Sequence, residues 1–206
     1  DSHLAADPLL APLVAARPGL RVAGQVDGAE LAVRAVIGQQ VSVVGACTVI
    51  GRIVAELGEP MTSEIPGLTR LFPRPDVLAA ADPESLPMPR ARGRAVVALA
   101  GAVAAGEVCL DRGADRDAVR ATLLALPGIG PWTADYVALR ALGDPDILLP
   151  TDLAVRRIVG ARAGLERPSP ADVESIARAW RPWRSYALCH LWQTVLPATA
   201  PHPERP

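Results

Sequence analysis

The sequence contains no lysine, and all 21 of its basic residues are arginine. This absence excludes mechanisms that need a lysine amine, such as Schiff-base formation or phosphate binding by a Walker lysine. Aromatic residues are scarce, with four Trp, two Tyr and one Phe among 206 residues, so the core must consist mainly of Ala, Leu and Val. Because 22 acidic residues balance the arginines, the net charge is −1, and any nucleic-acid binding must use a local basic patch.

Cysteine is nearly absent, and the three that occur lie far apart (Cys47, Cys109 and Cys189). They form no CxxC pair and have apolar neighbours, so neither a disulfide framework nor a structural zinc site is indicated, and we expect reduced, buried thiols. The apolar, charge-free run at residues 35–51 is too short and too polar to span a bilayer. Charged residues interrupt the N-terminal segment, so we expect no signal peptide and a cytoplasmic, soluble protein.

Apolar residues recur with helical period along nearly the whole chain and nowhere alternate over a strand's length. This pattern predicts an all-α domain over residues 1–196, with breaks at its many Gly and Pro residues. The predicted helices span 7–16, 29–57 (broken near Gly38 or Gly45), 76–81, 90–105, 115–126, 131–143, 152–159, 169–180 and 184–196. Residues 197–206 form a polar, Pro-rich tail that we expect to be disordered.

The segment Leu126-Pro-Gly-Ile-Gly130, between two apolar helices, predicts a helix-hairpin-helix over about residues 115–143. Two glycines flank Ile129, which we expect to pack inward, and they permit a reversal that a side chain would block. The turn leaves backbone N–H groups at a helix N-terminus, where an anion such as a DNA phosphate is favoured. An ordinary turn between antiparallel helices is the alternative interpretation.

The hairpin also suggests which backbone groups would contact DNA. Pro131 has no N–H, so the predicted phosphate-binding residues are Gly128, Gly130, Trp132 and Thr133. Three carbonyls in the turn could in addition hold a monovalent cation that bridges to the phosphate, namely those of Leu124, Leu126 and Gly128. Asp152 follows 22 residues after Gly130, in a Gly- and Pro-containing loop, where its simplest role is the N-cap of the next helix, a role that Thr151 could fill instead.

Three stretches of the chain resemble the HhH-GPD superfamily of DNA glycosylases, and most closely the 3-methyladenine DNA glycosylase II family. They are Arg34-Ala-Val-Ile-Gly-Gln-Gln-Val-Ser-Val43, Leu126-Pro-Gly-Ile-Gly-Pro-Trp-Thr-Ala-Asp-Tyr-Val-Ala-Leu-Arg140 and Pro182-Trp-Arg-Ser-Tyr-Ala-Leu-Cys-His-Leu-Trp192. The resemblance covers residues 7–196, without the mixed α/β domain with which that family begins. Since the chain also starts with Asp1 instead of Met, we expect a piece of a longer protein.

The resemblance implies two helical lobes with a cleft, and Asp152 as the catalytic carboxylate at its edge beside the hairpin. The implied reaction is hydrolysis of the N-glycosidic bond of alkylated purines in duplex DNA, as in bacterial base excision repair. Bifunctional relatives have a lysine where this chain has Trp132, so no lyase activity is expected. Relatives with an iron–sulfur cluster carry four clustered cysteines, and only Cys189 is present here, so no cluster and no other cofactor is expected.

The resemblance further implies how the damaged base is extruded and held. Gln40 would be the wedge that fills the vacated stack, and Gln39 would lie beside the base pocket. Trp132, Tyr136 and Trp192 would line the pocket, where electron-rich rings attract a cationic base. The alternatives are a solvated helix face for the glutamines and core packing for the aromatics, which we do expect for Trp180, Trp183 and Tyr186.

This chain departs from the family at two positions beside Asp152. Leu153 stands where the family has Tyr, and Thr151 stands where it has Asp. A non-catalytic helix-hairpin-helix module that binds DNA is therefore the second functional hypothesis. In both cases the expected partner is double-stranded DNA, bound by a monomer in the nucleoid. The candidate arginines for a basic patch are Arg90, Arg92, Arg94, Arg156, Arg157, Arg181 and Arg184.

Overall fold

The computed structural model describes residues 1–195, and all of the regular structure in this range is helical. Apart from one isolated bridge between Pro60 and Arg70, residues 1–195 contain no strand, so the predicted all-α fold is confirmed. The helices are α1 (Ser2–Ala5), α2 (Ala11–Ala16), α3 (Gly28–Ile37), α4 (Val43–Leu57), α5 (Pro75–Ala79), α6 (Arg90–Ala104), α7 (Arg116–Ala125), α8 (Pro131–Arg140), α9 (Leu153–Ala163), α10 (Pro170–Ile176), a 3-10 helix (Ala177–Trp180) and α11 (Arg184–Trp192). The predicted tail at 197–206 lies outside the described residues.

Local capping chemistry explains where several helices begin. In α3, α4, α7, α9 and α10 the N-cap is an Asp or Ser whose side chain accepts a backbone N–H of the first turn, as this position favours. These N-caps are Asp27, Ser42, Asp115, Asp152 and Ser169. Ser169 also forms a reciprocal capping box with Asp172.

The predicted helix boundaries lie close to the observed ones in the middle of the chain, but they fail near its start and at α9, which continues past the predicted end at Val159 to Ala163. The long predicted segment 29–57 breaks at Gly38, which is one of the two predicted break points. The predicted helix 7–16 is instead only α2, because the Asp7 carboxylate accepts the backbone N–H groups of Leu9 and Leu10 and holds a turn there. Such side-chain bonds compete with helical hydrogen bonds.

The chain divides into two compact units, and the second unit, Gly24–Gly143, contains the hairpin. Its central helix α3 packs against α6 and α8, and α7 packs against α8. Helix α3 buries most of its length, which explains its almost unbroken run of aliphatic residues. The core of this unit is aliphatic, as the composition predicts, and includes Val36, Ile37, Leu99, Leu123 and Leu139.

The first unit combines residues 1–23 with the chain from Asp144 onward. Helix α9 packs on α10 and α11, and α11 also contacts α2. Trp180 is fully buried, as predicted, and its indole N–H donates to the Asp7 carboxylate at 2.9 Å. The same prediction is wrong for Trp183, which directly precedes α11 and is 43% exposed; its ring lies at a steep angle to that of half-buried Tyr186.

The prediction of buried thiols is wrong for two of the three cysteines. Cys189 is buried, whereas Cys47 and Cys109 are exposed. Cys47 has apolar neighbours in the sequence, but α4 buries only one stripe, formed by Ala46, Ile50 and Ile53. Among the described residues, no helix is both long enough and apolar enough to cross a membrane.

His190 makes the stability of the first unit depend on pH. The residue is 2% exposed, and its Nδ1 has no partner among the described residues. Burial lowers the pKa of the imidazole below its ordinary value near 6.5, although a hydrogen bond to the backbone of Leu13 partly opposes this. The unfolded chain therefore takes up a proton that the folded chain resists, so stability is complete above about pH 6.5 and declines below it.

We expect urea unfolding to report a lower unfolding free energy at pH 5.5 than at pH 7.5, before ordinary carboxylates titrate. His190→Leu should reduce this difference, while substitution of exposed His3 by Gln should leave it unchanged. Equal unfolding free energies for the wild-type chain at the two pH values would contradict the assignment.

Candidate functional site

The predicted hairpin is present in the second unit as a tight turn between α7 and α8. Helix α7 ends at Ala125, the chain becomes extended at Leu126, and Ile129 N–H donates to the Leu126 carbonyl at 3.3 Å. Ile129 is 6% exposed, which confirms that it packs inward. Within the turn itself, this hydrogen bond and the buried side chain of Ile129 hold the reversal.

The two glycines of the turn differ in whether a side chain could replace them. Gly128 adopts φ +78°, and a Cβ there would lie 2.8 Å from the Cβ of Ala95 on α6, so no other residue fits without strain. Gly130 has φ −95°, and a Cβ there would meet nothing within 4 Å. The prediction that both glycines are needed for the reversal is thus wrong for Gly130, which instead leaves the start of α8 uncovered.

Helix α8 begins without a capping side chain. Its N-cap is Gly130 and Pro131 is its first residue, so no side chain bonds the free N–H groups of the first turn. An anion is favoured at such a terminus, since the backbone donors and the helix dipole point the same way. Trp132 is half-buried and Thr133 is 3% exposed. Phosphate binding by Gly128, Gly130, Trp132 and Thr133 stays a prediction.

An ion pair joins the two helices of the hairpin. Arg120 of α7 donates through Nε and Nη2 to the carboxylate of Asp135 on α8, and Asp135 raises the pKa of the Arg120 guanidinium. The Asp135 side chain is only 15% exposed, so the bidentate contact is partly shielded from water. The sequence pattern did not reveal this pair, because its members lie on different helices.

We expect Asp135→Asn to lower the free energy of unfolding by about 1 kcal/mol, because the neutral amide loses the charge-assisted contact. Urea unfolding measures the change. The matched control is Glu30→Gln, which neutralises the exposed pair of Glu30 with Arg34 on α3 and should cost less than about 0.5 kcal/mol. Equal losses of unfolding free energy in both variants would show that partial burial of the hairpin ion pair adds nothing to its stabilising effect.

The glutamine pair lies in the loop between α3 and α4, in neither helix, so the alternative of a solvated helix face is wrong for both residues. Gln40 is exposed and has φ +55°, a left-handed conformation that no other non-glycine residue among positions 1–195 adopts. Gln39 donates from Nε2 to the Gly128 carbonyl at 3.1 Å and to Thr133 Oγ1 at 2.9 Å. Its two amide hydrogens thus bond the hairpin, while its predicted place beside a base pocket is untested.

Two of the predicted pocket aromatics stack on each other. The rings of Trp132 and Tyr136 are 5.1 Å apart at an interplanar angle of 7°, as their spacing of four on one helix face allows. Both are half-buried, so neither is a fully packed core residue. Trp192, the third predicted aromatic, ends α11 in the first unit and is also half-buried. Their common role in one pocket stays a prediction.

Asp152, in the first unit, is the N-cap of α9. Its Oδ1 accepts the Val155 N–H at 2.9 Å, while Oδ2 accepts no hydrogen bond from any described residue. The side chain is half-buried, and the next residue, Leu153, is 74% exposed. One hydrogen bond to Oδ1 therefore orients the carboxylate. The N-cap role is confirmed, and the catalytic role stays a prediction.

The loop before Asp152 is anchored by contacts that the sequence did not indicate. Arg184 donates from Nε to Asp146 Oδ1 at 2.7 Å and from Nη2 to Oδ2 at 2.9 Å. Ser185 accepts the Ile147 N–H and donates to the Asp144 carbonyl. An acidic residue within a Gly- and Pro-rich loop is the only sequence signal for this anchor, and it does not identify the partner.

Most arginines proposed for a basic patch are already bonded within their own unit. Arg90 pairs with Glu84, Arg92 donates to the Gln39 carbonyl, Arg156 donates to the Pro168 carbonyl, and Arg181 and Arg184 both pair with Asp146. Arg94 and Arg157 are exposed, and no such bond is found for them among the described residues. The basic patch itself stays a prediction.

The carbonyls proposed for a monovalent cation are partly engaged. The Leu126 carbonyl accepts the Ile129 N–H, and the Gly128 carbonyl accepts the Gln39 amide. Each carbonyl oxygen has a second lone pair, so these bonds still allow coordination. Within residues 1–195, no cluster of His, Cys, Asp and Glu is arranged to hold a metal ion.

The comparison with known proteins covers nearly the whole chain. No family model matches it. It is 46% identical over 192 residues, 93% of this chain and 38% of the relative, to the "probable bifunctional transcriptional activator/DNA repair enzyme AlkA" of Mycobacterium tuberculosis. It is 41% identical over 189 residues, 90% of this chain and 64% of the relative, to DNA-3-methyladenine glycosylase 2 of Escherichia coli. The chain thus spans less than two thirds of these relatives.

A solved structure has the same fold. The 3-methyladenine DNA glycosylase of Archaeoglobus fulgidus matches with a TM-score of 0.78 and 27% identity, over 93% of this chain and 67% of that one. The fold agreement and the sequence identity extend over the same helical region, which includes the hairpin and the Asp152 loop. The chain therefore belongs to the HhH-GPD superfamily of DNA glycosylases, as a counterpart of the helical part of its 3-methyladenine glycosylases.

Proposed function

We propose that this chain is the catalytic part of a monofunctional DNA glycosylase that removes alkylated purines from duplex DNA in base excision repair. The observation that carries the proposal is Asp152, which one hydrogen bond fixes through Oδ1 and whose Oδ2 accepts no hydrogen bond from the described residues. The relatives' names, which specify 3-methyladenine glycosylases, support the substrate class. Such an enzyme would work in the cytoplasm, on the nucleoid.

The carboxylate would act on the sugar. As the base departs, C1′ of the deoxyribose develops oxocarbenium charge, which Oδ2 of Asp152 would stabilise while it orients the attacking water. At about 4 Å and an effective dielectric constant near 20, this attraction is worth roughly 4 kcal/mol, or about a thousandfold in rate. A purine alkylated on a ring nitrogen is already cationic, so it leaves without a separate general acid.

The base must leave the helix before it can react. Gln40, exposed at the tip of its loop, would enter the gap in the stack, and its amide could bond the orphaned partner base. The stacked rings of Trp132 and Tyr136, together with Trp192, would attract the cationic base by stacking and cation–π contact. The start of α8 would hold the backbone phosphate, with a monovalent cation on the carbonyls of Leu124, Leu126 and Gly128 adding positive charge there.

The reaction would stop at the abasic site. A lyase step by this superfamily needs an amine that forms a Schiff base with the sugar, and the chain contains no lysine. The bond broken is therefore the N-glycosidic bond alone, and the DNA strand stays intact. The product would be a free purine and an abasic duplex.

A non-catalytic DNA-binding module is the second candidate. It is favoured by the hairpin, which is complete within the second unit and does not include Asp152. Such a module would bind damaged duplex and release no base, and its affinity would fall steeply with salt, as phosphate binding requires.

A strand-cleavage assay tests the proposal. An end-labelled duplex treated with a methylating agent is incubated with the chain, then divided into samples with and without hot alkali. We expect the chain to add breaks at purines only in the alkali-treated sample, beyond those that hot alkali causes at methylated purines in a sample without the chain, since abasic sites are alkali-labile. Breaks without alkali would contradict the monofunctional assignment. Binding without breaks in either sample would favour the non-catalytic module.

A further inference from the structure

We infer that Gln39 is a positioning residue that fastens the loop carrying Gln40 to the DNA-binding hairpin. The inference rests on the proposed function for its role in base extrusion. The side-chain amide of Gln39 donates to the Gly128 carbonyl at 3.1 Å and to Thr133 Oγ1 at 2.9 Å. An amide nitrogen carries two hydrogens, so both are used, and they bond opposite sides of the turn that starts α8.

The same loop is held from a second direction. Arg92, in the first turn of α6, donates from Nη2 to the backbone carbonyl of Gln39 at 2.7 Å. Ala95, on the same helix, lies so close to Gly128 that a Cβ at position 128 would clash with it. Helix α6 therefore contacts both the loop and the hairpin turn, and Gln39 links these two contacts directly.

The neighbouring residue needs such support. Gln40 has φ +55°, a conformation that is unfavourable for a residue with a Cβ. Its side chain is exposed and forms no hydrogen bond with any described residue. A strained residue persists only when its surroundings fix it. The hydrogen bonds of Gln39 provide such support, because Gln39 directly precedes Gln40.

The fastening has a functional consequence. The hairpin would bind a phosphate, and the wedge must enter the base stack at a set distance from that phosphate. With Gln39 in place, phosphate binding also positions Gln40, so extrusion does not need a separate ordering of the loop. Without Gln39, the phosphate is still bound while the wedge is poorly placed.

The test is a comparison of two substrates with Gln39→Met, which keeps the length of the side chain and removes its amide. One duplex carries a lesion opposite its normal partner, and the other carries the same lesion in a mismatch, where extrusion requires less work. We expect single-turnover excision from the paired duplex to slow about tenfold, equivalent to about 1.4 kcal/mol, and excision from the mismatch to change far less. Gln25→Met, at an exposed position, is the matched control and should change neither rate.

A purely structural role predicts a different result, namely equal losses on both substrates. Equal losses, or no loss on either, would overturn the inference. Gln39→Leu provides a second variant, because it also removes the amide without adding a charge, and it should give the same difference between the two substrates.

Hydrogen exchange without DNA separates this inference from the proposed function. In Gln39→Met, amides of residues 38–42 and 126–133 should exchange faster together, by about tenfold. Thr133→Val should accelerate the same segments, and the double variant should be no faster than Gln39→Met alone. If the wild-type chain excises the lesion from neither duplex, the proposed function has failed, and hydrogen exchange alone then tests whether Gln39 fastens the loop to the hairpin. Unchanged exchange at 126–133 would then contradict the fastening.

Discussion

Substitution of Asp152 by Asn should abolish most base excision while DNA binding and the fold remain intact. We expect the single-turnover rate to fall by roughly two to four orders of magnitude, since the neutral amide cannot stabilise an oxocarbenium ion. Asn is also a good N-cap, so its side-chain oxygen can still accept the Val155 N–H and start α9. Affinity for an abasic duplex, measured by gel shift, should change less than about threefold.

The matched control for this variant is Asp27→Asn. Asp27 is the N-cap of α3, and its Oδ1 accepts the Glu30 N–H at 3.0 Å, which is the same type of N-cap hydrogen bond that Asp152 forms. The same chemical change there should leave excision unaffected. Full activity of Asp152→Asn would contradict the mechanism, and an equal loss in both variants would show that capping, and not catalysis, is responsible.

Substitution of Gly128 by Ala should have the second large effect, on both stability and DNA binding. The left-handed φ costs a Cβ-bearing residue about 1–2 kcal/mol, and the approach to Ala95 adds strain of a similar size. We therefore expect a loss of about 2–4 kcal/mol in urea unfolding. Because the turn must distort, affinity for abasic duplex should fall at least tenfold under conditions where the variant is folded.

Gly130→Ala is the comparison for this variant. A Cβ at Gly130 meets nothing within 4 Å and φ is −95°, so we expect stability to change by less than about 0.5 kcal/mol. DNA affinity should still fall, since the methyl group would project beside the N-terminus of α8. Equal destabilisation by the two substitutions would contradict the different roles assigned to the two glycines.

Sequence signals within a few residues were sufficient to predict much of the fold. Helix starts followed N-capping residues such as Asp115 and Asp152, and the break at Gly38 followed from the helix-breaking tendency of glycine. The hairpin was predictable for the same reason, because a Gly-Ile-Gly turn and Pro131 are confined to a few residues. Each of these features depends on chemistry within one turn of helix.

Features that depend on distant partners could not be predicted. Gln39 and Gly128 are 89 positions apart, so nothing local indicates that the amide of Gln39 bonds the hairpin. The pairing of Arg184 with Asp146 and the exposure of Trp183 likewise depend on how helices pack. The residue types of the site came from family resemblance, and the joint placement of Asp152 with the hairpin residues stays a prediction.

The central claim is that this chain breaks the bond between an alkylated purine and deoxyribose. The most direct measurement is chromatographic identification of the free base released from methylated duplex DNA by the wild-type chain and by Asp152→Asn. We predict release of a methylpurine by the wild-type chain, reduced by at least a hundredfold in the variant. No release by a folded wild-type chain that binds abasic duplex, or equal release by both proteins, would contradict this account.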